Sequence, residues 1–564
     1  METRTPAFTH WLDDFFASYY RHRPVNATFI GKHEHDSRLA DYSEAGVEAT
    51  LSEMEGLLAR LQTLPTEPLT AAEELDRKLA EGFLEIQRWE YTSTHLQRGN
   101  PSTYVGEGIF GVISLFLRPF APLAQRVDCA IARMEAIPTL LDQGKTNVRQ
   151  APPAWTQRAI RECTGALAFL RGGVDLLIQE YALPGTRLRA AADLAAAAFA
   201  DFQRSLEADL RAGVTEGYAC GAEALDLLIR KGHFLDMDAD AIVSYAQERL
   251  AQAAAYLGDH AKDWGADTWQ AALALLADQH PTIDEYYARY AQVWNSCRAT
   301  AQAHRLVTWP DYPIRYMPQP HWARQAAPYL YFLFYRAPAA YDEVPVVDYL
   351  VTPIEPDMPR AEQDRLLRAT NDSVIKLNHV IHHGSVGHHL QNWHAYRAKS
   401  RIGQIAAVDC ASRIAMFCGG TMAEGWACYA TGLMSEVGFL TPLEQYTEHQ
   451  TRARMASRAI VDVRLHRREF SLDEAATFYQ QHAGMTPAAA QSEAIKNSMF
   501  PGVALMYLMG NDMILQLRSD VAVRQGAAFD LQRFHDQFLS YGSVPVALIS
   551  SAMRDPVADA DSKL

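Results

Sequence analysis

AAEELDRKLAEGFLEIQRWEY, residues 71–91, sets Leu75, Leu79, Phe83, Ile86 and Trp89 at steps of three and four, with charged residues between them. That spacing is the period of a single apolar helix face. It recurs along most of the chain. In the alanine-rich run after LPGTR (183–187), Phe199, Phe202, Leu206 and Leu210 share one face. Strong breakers separate such segments: LPTEPL at 64, GNPS at 99, RQAPPAW at 149 and LPGT at 183. Extended structure is expected only between 305 and 352. There RLVTWPDYPIRYMPQPHW and VPVVDYLVTP are proline-studded and rich in β-branched and aromatic residues, and Val347, Tyr349 and Val351 alternate with Val346, Asp348 and Leu350. The expected fold is mostly α, with many helices and a small β-sheet beside the histidine-rich segment discussed below.

At 564 residues the chain exceeds what one compact core holds. The expected division is an N-terminal helical domain, 1–300, and a domain of short strands and the histidine-rich helix, 301–564. The two would form one intimate assembly with a cleft between them. A net charge of −15 disfavours nucleic acid or an anionic membrane as partner. No run of eighteen apolar residues is present, and METRTPAFTHWLDDFFASYY lacks the basic and apolar regions of an export signal. The seven cysteines are odd in number, scattered and without a C-x-x-C pair, as expected of reduced, mostly buried thiols. Cytoplasmic localisation follows as the expectation. Nothing in the sequence specifies an oligomeric state. P-loop, dinucleotide-glycine and G-x-S-x-G patterns are all absent.

The chemistry concentrates in HVIHHGSVGHHLQNWH, residues 379–394. Six of its sixteen positions are histidine, in a chain with 20 histidines overall. A core would have to supply hydrogen-bond partners for every one of them, so a functional polar or metal site is the better reading of the group. The preceding ATNDSVIKLNHVIHH reads as a helix capped by Asn371, Asp372 or Ser373. At 100° per residue, Val374, Leu377 and Ile381 share an apolar face, and His379, His382 and His383 fall together opposite it. Gly384 and Gly387 then loosen the helix. A regular continuation would align His389 with His382, whereas a bulge would swing His388 in. For His379 and His394 a structural role is favoured.

GHHLQ (387–391), followed by AEGWACYA (423–430), resembles the large bacterial family catalogued as domain of unknown function 885. Its pattern runs H-E-x-x-P-G-H-H-L-Q and then E-G-W-A-x-Y. RAIVDVRLH (458–466), PGVALMYLMG (501–510) and FDLQRFHDQFLSYGSVP (529–545) match its later motifs, with weaker echoes in ATFIGKHEHD (27–36) and RGNPSTY (98–104). That family is similar to the gluzincin metallopeptidases. The resemblance implies His382, His388 and Glu424 as ligands of a divalent metal, zinc by the chemistry of two imidazoles and a carboxylate. It implies a hydrolase of small peptide, amide or ester substrates, so a small molecule or short peptide is the expected partner.

One departure stands out. The glutamate expected as general base is His383 here, and the proline is Val386. A neutral imidazole can accept a proton. It can equally become a third nitrogen ligand, a set that suits iron or manganese and non-hydrolytic chemistry. A non-catalytic descendant of the family is the remaining class. Tyr507, His535 and His466 can donate hydrogen bonds to a developing oxyanion, or instead tie helices together. Asp462 would orient a neighbouring side chain.

Overall fold

The Thr70 hydroxyl accepts from the Glu73 amide while the Glu73 carboxylate accepts from the Thr70 amide, a reciprocal cap that starts the helix Ala71–Thr92. Its predicted stripe is inward: Leu79, Phe83 and Ile86 are buried, Leu75 and Trp89 half-buried. The computed structural model describes residues 5–64, 68–148, 151–212, 217–330, 339–342, 344, 346–410, 413–414 and 416–554. It is mostly helical. The sequence breakers stand between helices. Glu44–Gln62 ends before LPTEPL, Ser102–Leu117 starts within GNPS, and Leu123–Asn147 and Pro153–Ala168 flank RQAPPAW.

The expected sheet is a parallel pair, Ile314–Pro318 against Val347–Val351, in register from Ile314 opposite Val347 to Pro318 opposite Val351. The alternation read from the sequence is the observed one, with Val347, Tyr349 and Val351 buried. All seven cysteines are unpaired, and five are buried. Among the described residues no helix is long and apolar enough to cross a membrane.

Contacts divide the chain into one unit of residues 1–218, 319–344 and 408–416 and another of 219–318, 345–407 and 417–564. The first division therefore falls at 218/219, not near 300 as expected from the sequence. Apolar packing explains the shift. Helix Ala239–His260 lies along Pro442–His466, and Ile242, Ala246 and Leu250 share a buried cluster with Tyr446, Ala456 and Ile460. Periodicity along one helix does not say which distant helix it meets.

In the first unit, the GKHEHD turn (31–36) is held by ionic contacts. His33 bonds Asp36 through Nδ1 and Asp342 through Nε2, each at 2.8 Å, and its ring stacks on Phe120. Arg118 pairs with the other Asp342 oxygen at 3.2 Å. Burial opposes the charge on His33, but bonds to Asp342 and Asp36 and their negative charges outweigh it and lift its pKa to about 9.

In the second unit, helices Gly420–Glu436 and Met506–Gln525 cross backbone to backbone at Gly425 and Gly510. A Cβ on Gly425 would lie 2.5 Å from the Gly510 carbonyl carbon, and one on Gly510 would strike the Thr421 carbonyl. Main chain cannot yield as a flexible side chain can. Gly425→Ala is expected to destabilise the protein by about 1–3 kcal/mol, the usual result of overpacking, read by denaturant unfolding. The His33 contribution has a definite sign. Its pKa is raised from the ordinary 6.5, so the stabilisation is complete below about 6.5 and is lost as pH rises through about 9. Melting temperatures across pH 6–10 should fall more steeply for the natural chain than for His33→Gln.

Candidate metal centre

Three histidines of the 379–394 segment converge. The ligand nitrogens of His382, His383 and His388 all lie within 4.8 Å of one another. Glu424 joins them from another helix: its Oε2 is 3.4 Å from His382 Nε2 and 3.7 Å from His388 Nε2. All four belong to the second unit.

The segment reaches this shape through a π-helix, Val374–Gly384, a form found mostly as short bulges at functional sites. Its start is capped by Asn371, whose side-chain oxygen accepts from the Val374 amide at 3.0 Å. The other two cap candidates are used elsewhere. Asp372 pairs with Arg289, and Ser373 donates to Glu444. In a π-turn each residue advances less than the 100° of an α-helix, which moves His382 away from His379. His379 accordingly lies outside the cluster. Its Nδ1 bonds the Tyr349 hydroxyl of the sheet at 2.8 Å, and the Tyr316 hydroxyl donates to its carbonyl at 3.2 Å.

The helix ends at Gly384, and Gly387 packs so tightly on the His382 carbonyl that no Cβ would fit. A new helix, His388–Ala395, begins immediately. The break turns His388 inward. His389 faces the opposite way, with Nε2 bonded to the Tyr312 carbonyl at 2.7 Å and its ring stacked on the Tyr312 ring. His394 also lies outside the cluster.

AEGWACYA positions the carboxylate. Gly425 sits at the crossing with Gly510, and the next residue, Trp426, donates from Nε1 to the Val386 carbonyl at 2.8 Å. That bond ties the glutamate helix to the loop between His383 and His388. Trp294 and Cys297 support the same loop from helix Tyr286–Ala303, through the Gly384 carbonyl and the Ser385 hydroxyl.

The protonation states are those a cation requires. Burial lowers the pKa of His382, partly offset by the Glu424 carboxylate facing it. Burial and the neighbouring imidazoles push His383 well below 6.5. Burial alone would raise Glu424, but the facing rings of His382 and His388 hold it well below the usual carboxylate range. At neutral pH His382 and His383 are neutral and Glu424 is ionised. His383 Nδ1 donates to the Asn378 carbonyl at 2.8 Å, which makes Nε2 the basic nitrogen of the ring.

The other expected site residues engage neighbours outside the four-residue cluster. His535 is fully buried, with Nδ1 on the Leu306 carbonyl at 2.5 Å and Nε2 on the Tyr429 hydroxyl at 2.7 Å. Both ring nitrogens are engaged, which is the tying role. His466 is likewise engaged, by the Asn497 carbonyl and the Cys220 amide. Asp462 accepts from the amides of Gly502 and Leu505, and so clamps the turn before the helix that carries Tyr507 and Gly510. Tyr507 lies beneath Arg458, whose guanidinium is 4.2 Å from the ring centre. Arg458 in turn is bonded to Glu493 at 2.8 Å.

Two further groups bear on the cluster and carry no motif in the sequence. Arg454 is four residues before Arg458 on helix Pro442–His466, half-buried. Its charge opposes protonation of His382, and it only slightly offsets the burial that pushes the Cys428 thiol up. Glu448, on the same helix, is pushed up to about 7 by burial, against the pull of Arg452 and Arg454. The available signal was an arginine flanked by Ala453, Met455 and Ala456, all buried.

Comparisons with known proteins place this architecture. A structure from Shewanella oneidensis, described as "a putative lipoprotein of unknown function", superposes with a TM-score of 0.78 at 22% identity, covering 98% of this chain and all of that one. A "putative lipoprotein" from Colwellia psychrerythraea gives 0.75 at 15% identity over 97% of this chain and 98% of its own. No curated protein matches. Cytoplasmic localisation is overturned by these neighbours, since lipoproteins are held at a membrane by their lipid. It rested on leader-like features missing from the N-terminal residues, and the interior pattern of a folded domain is the same on either side of a membrane. The family pattern described as "Bacterial protein of unknown function (DUF885)" matches residues 24–553, far more than the C-terminal third where the motifs are strongest. The chain belongs to that family.

Proposed function

We propose that His382, His388 and Glu424 hold a divalent metal, zinc in the first instance, with His383 beside it as proton acceptor, and that the protein is a metal-dependent hydrolase of small peptide, amide or ester substrates. The carrying observation is the spacing around Glu424 Oε2. This oxygen is buried and has no hydrogen bond, and it stands 3.4 and 3.7 Å from two imidazole nitrogens. Those separations exceed a good hydrogen bond. They are close to the ~3.3–3.4 Å between two donors on one tetrahedral ion with metal–ligand distances of ~2.0–2.1 Å. An ionised carboxylate and two imidazoles left at such distances are a set whose mutual repulsions and open lone pairs a cation relieves.

A metal held there supplies Lewis acidity, polarising a substrate carbonyl and making water nucleophilic near neutral pH. The protein's part is to keep His382 and His383 neutral and Glu424 ionised. Asn378 fixes the His383 tautomer, and the Trp426 bond to Val386 sets Glu424 against His388. His383 stands where the family pattern has glutamate, with an Nε2 lone pair able to accept a proton. A second reading has its own support in the position of His383 within the nitrogen triangle. Three imidazoles and a carboxylate form a donor set that also suits iron or manganese and non-hydrolytic chemistry.

Metal analysis of untagged protein should find one equivalent after zinc reconstitution. His382→Ala and Glu424→Ala should each weaken binding by more than the ~10–100-fold that loss of an outer-shell partner costs. Substoichiometric metal that reconstitution does not raise would exclude both readings. His383→Glu separates them. Under the hydrolase reading, zinc stays bound and hydrolysis of small esters and amides is kept or raised. A changed metal preference without hydrolysis would select the second reading.

A further inference from the structure

Tyr316 and Tyr349 stand directly opposite each other in the parallel pair of strands, with ring centres 4.9 Å apart. Both hydroxyls end on the same residue. That of Tyr349 joins His379 Nδ1 at 2.8 Å, and that of Tyr316 donates to the His379 carbonyl at 3.2 Å. Tyr290 closes the group from helix Tyr286–Ala303, its ring centre 5.2 Å from that of Tyr316 and 5.7 Å from that of His379. The Tyr349 ring also meets the His383 ring edge to face, with centres 6.2 Å apart. The group therefore touches the histidine cluster directly. All of these residues belong to the second unit.

The effect of the group on the helix follows from hydrogen-bond geometry. In an α-helix the His379 carbonyl accepts from the amide of residue 383, and in a π-helix from that of residue 384. π-Winding occurs mostly as single-turn bulges, whereas here it runs for 11 residues, Val374–Gly384. A run of that length needs support from outside the helix. The Tyr316 hydroxyl is wedged into its last turn, where a Cβ on Gly384 would strike it and would lie 2.8 Å from the His379 carbonyl. Trp294 holds the same turn through the Gly384 carbonyl at 2.8 Å. His379 itself carries no part of the proposed chemistry, yet two hydroxyls converge on it.

We propose that Tyr316 and Tyr349 are positioning residues of the metal centre: through His379 they hold Val374–Gly384 in its π-winding, and that winding directs His382 and His383 toward His388 and Glu424. His382 follows His379 by three residues, so a change of winding at His379 rotates both later imidazoles about the helix axis. A metal site tolerates displacements of only ~0.2 Å in its metal–donor distances. The small sheet is thus the template on which the histidine helix is wound. The proposal rests on the metal reading for what is being positioned, and on the tyrosine contacts for the winding.

The test uses the full chain with Tyr316→Phe and Tyr349→Phe, singly and together, each of which removes one oxygen and keeps the ring. Zinc affinity, measured by competition with a chromophoric chelator, should fall about 10-fold or more in the double variant, as on loss of a group that supports a ligand. The visible spectrum of cobalt(II) bound in place of zinc reports the number and arrangement of donors, and it should change as well. A role confined to packing would lower the melting temperature and leave that spectrum unaltered. Tyr349→Phe and His379→Phe should not add in their effect on zinc affinity, because each removes the same bond. An unaltered cobalt spectrum in the folded double variant overturns the proposal, and so does full additivity of Tyr349→Phe with His379→Phe. Crystal structures of the metal-free proteins separate the proposal from the metal reading. If the natural chain binds no metal, the metal reading falls, and loss of π-winding over 374–384 in the double variant still upholds the tyrosine role. Persistent π-winding in the metal-free double variant overturns that role whether or not zinc binds.

Discussion

The contact of Gly425 with Gly510 brings two helices together at main-chain distance, and the geometry of the histidine cluster depends on it. With a side chain at either position the helix Gly420–Glu436 would have to move outward. Glu424 and Trp426 flank the contact directly. Trp426 carries the position of its helix to the Val386 carbonyl, and Glu424 presents its carboxylate to His382 and His388. The three residues Glu-Gly-Trp thus act together, as ligand candidate, spacer and tether.

The surroundings of the cluster set its charge state. Burial disfavours every charged form, yet Glu424 stays ionised because two imidazoles face it. His382 and His383 are in turn kept neutral by burial. This division puts one negative charge and open nitrogen lone pairs in a confined space, which is the electrostatic preparation for a cation. Outside it, the polar residues of the later motifs satisfy one another. His535, His466 and Asp462 use their polar atoms to hold loops and helices, and Arg458 is committed to Glu493.

Much of the fold was legible in the chain because the relevant signals are local. The stripe of residues 75–89, the breakers at 64, 99, 149 and 183, and the alternation at 347–351 each depend on a few neighbouring residues, and each is present in the structure. The division into units was not legible. It depends on which distant helix covers each apolar face, and the face of Ala239–His260 is covered by one two hundred residues further on.

The sequence by itself determined the helical class, the place of the sheet, and the supply of donors: six histidines in one segment and a glutamate followed by glycine and tryptophan. Tertiary structure alone decided which donors meet. His388 turns inward because Gly387 permits a sharp break over the His382 carbonyl, and His389 turns away because Tyr312 offers it a carbonyl and a ring face. His379 leaves because the helix is wound as a π-helix and Tyr349 captures its ring. Residue spacing fixes an angle only when the helix type is known, and a side chain's final direction depends on partners far away in the chain.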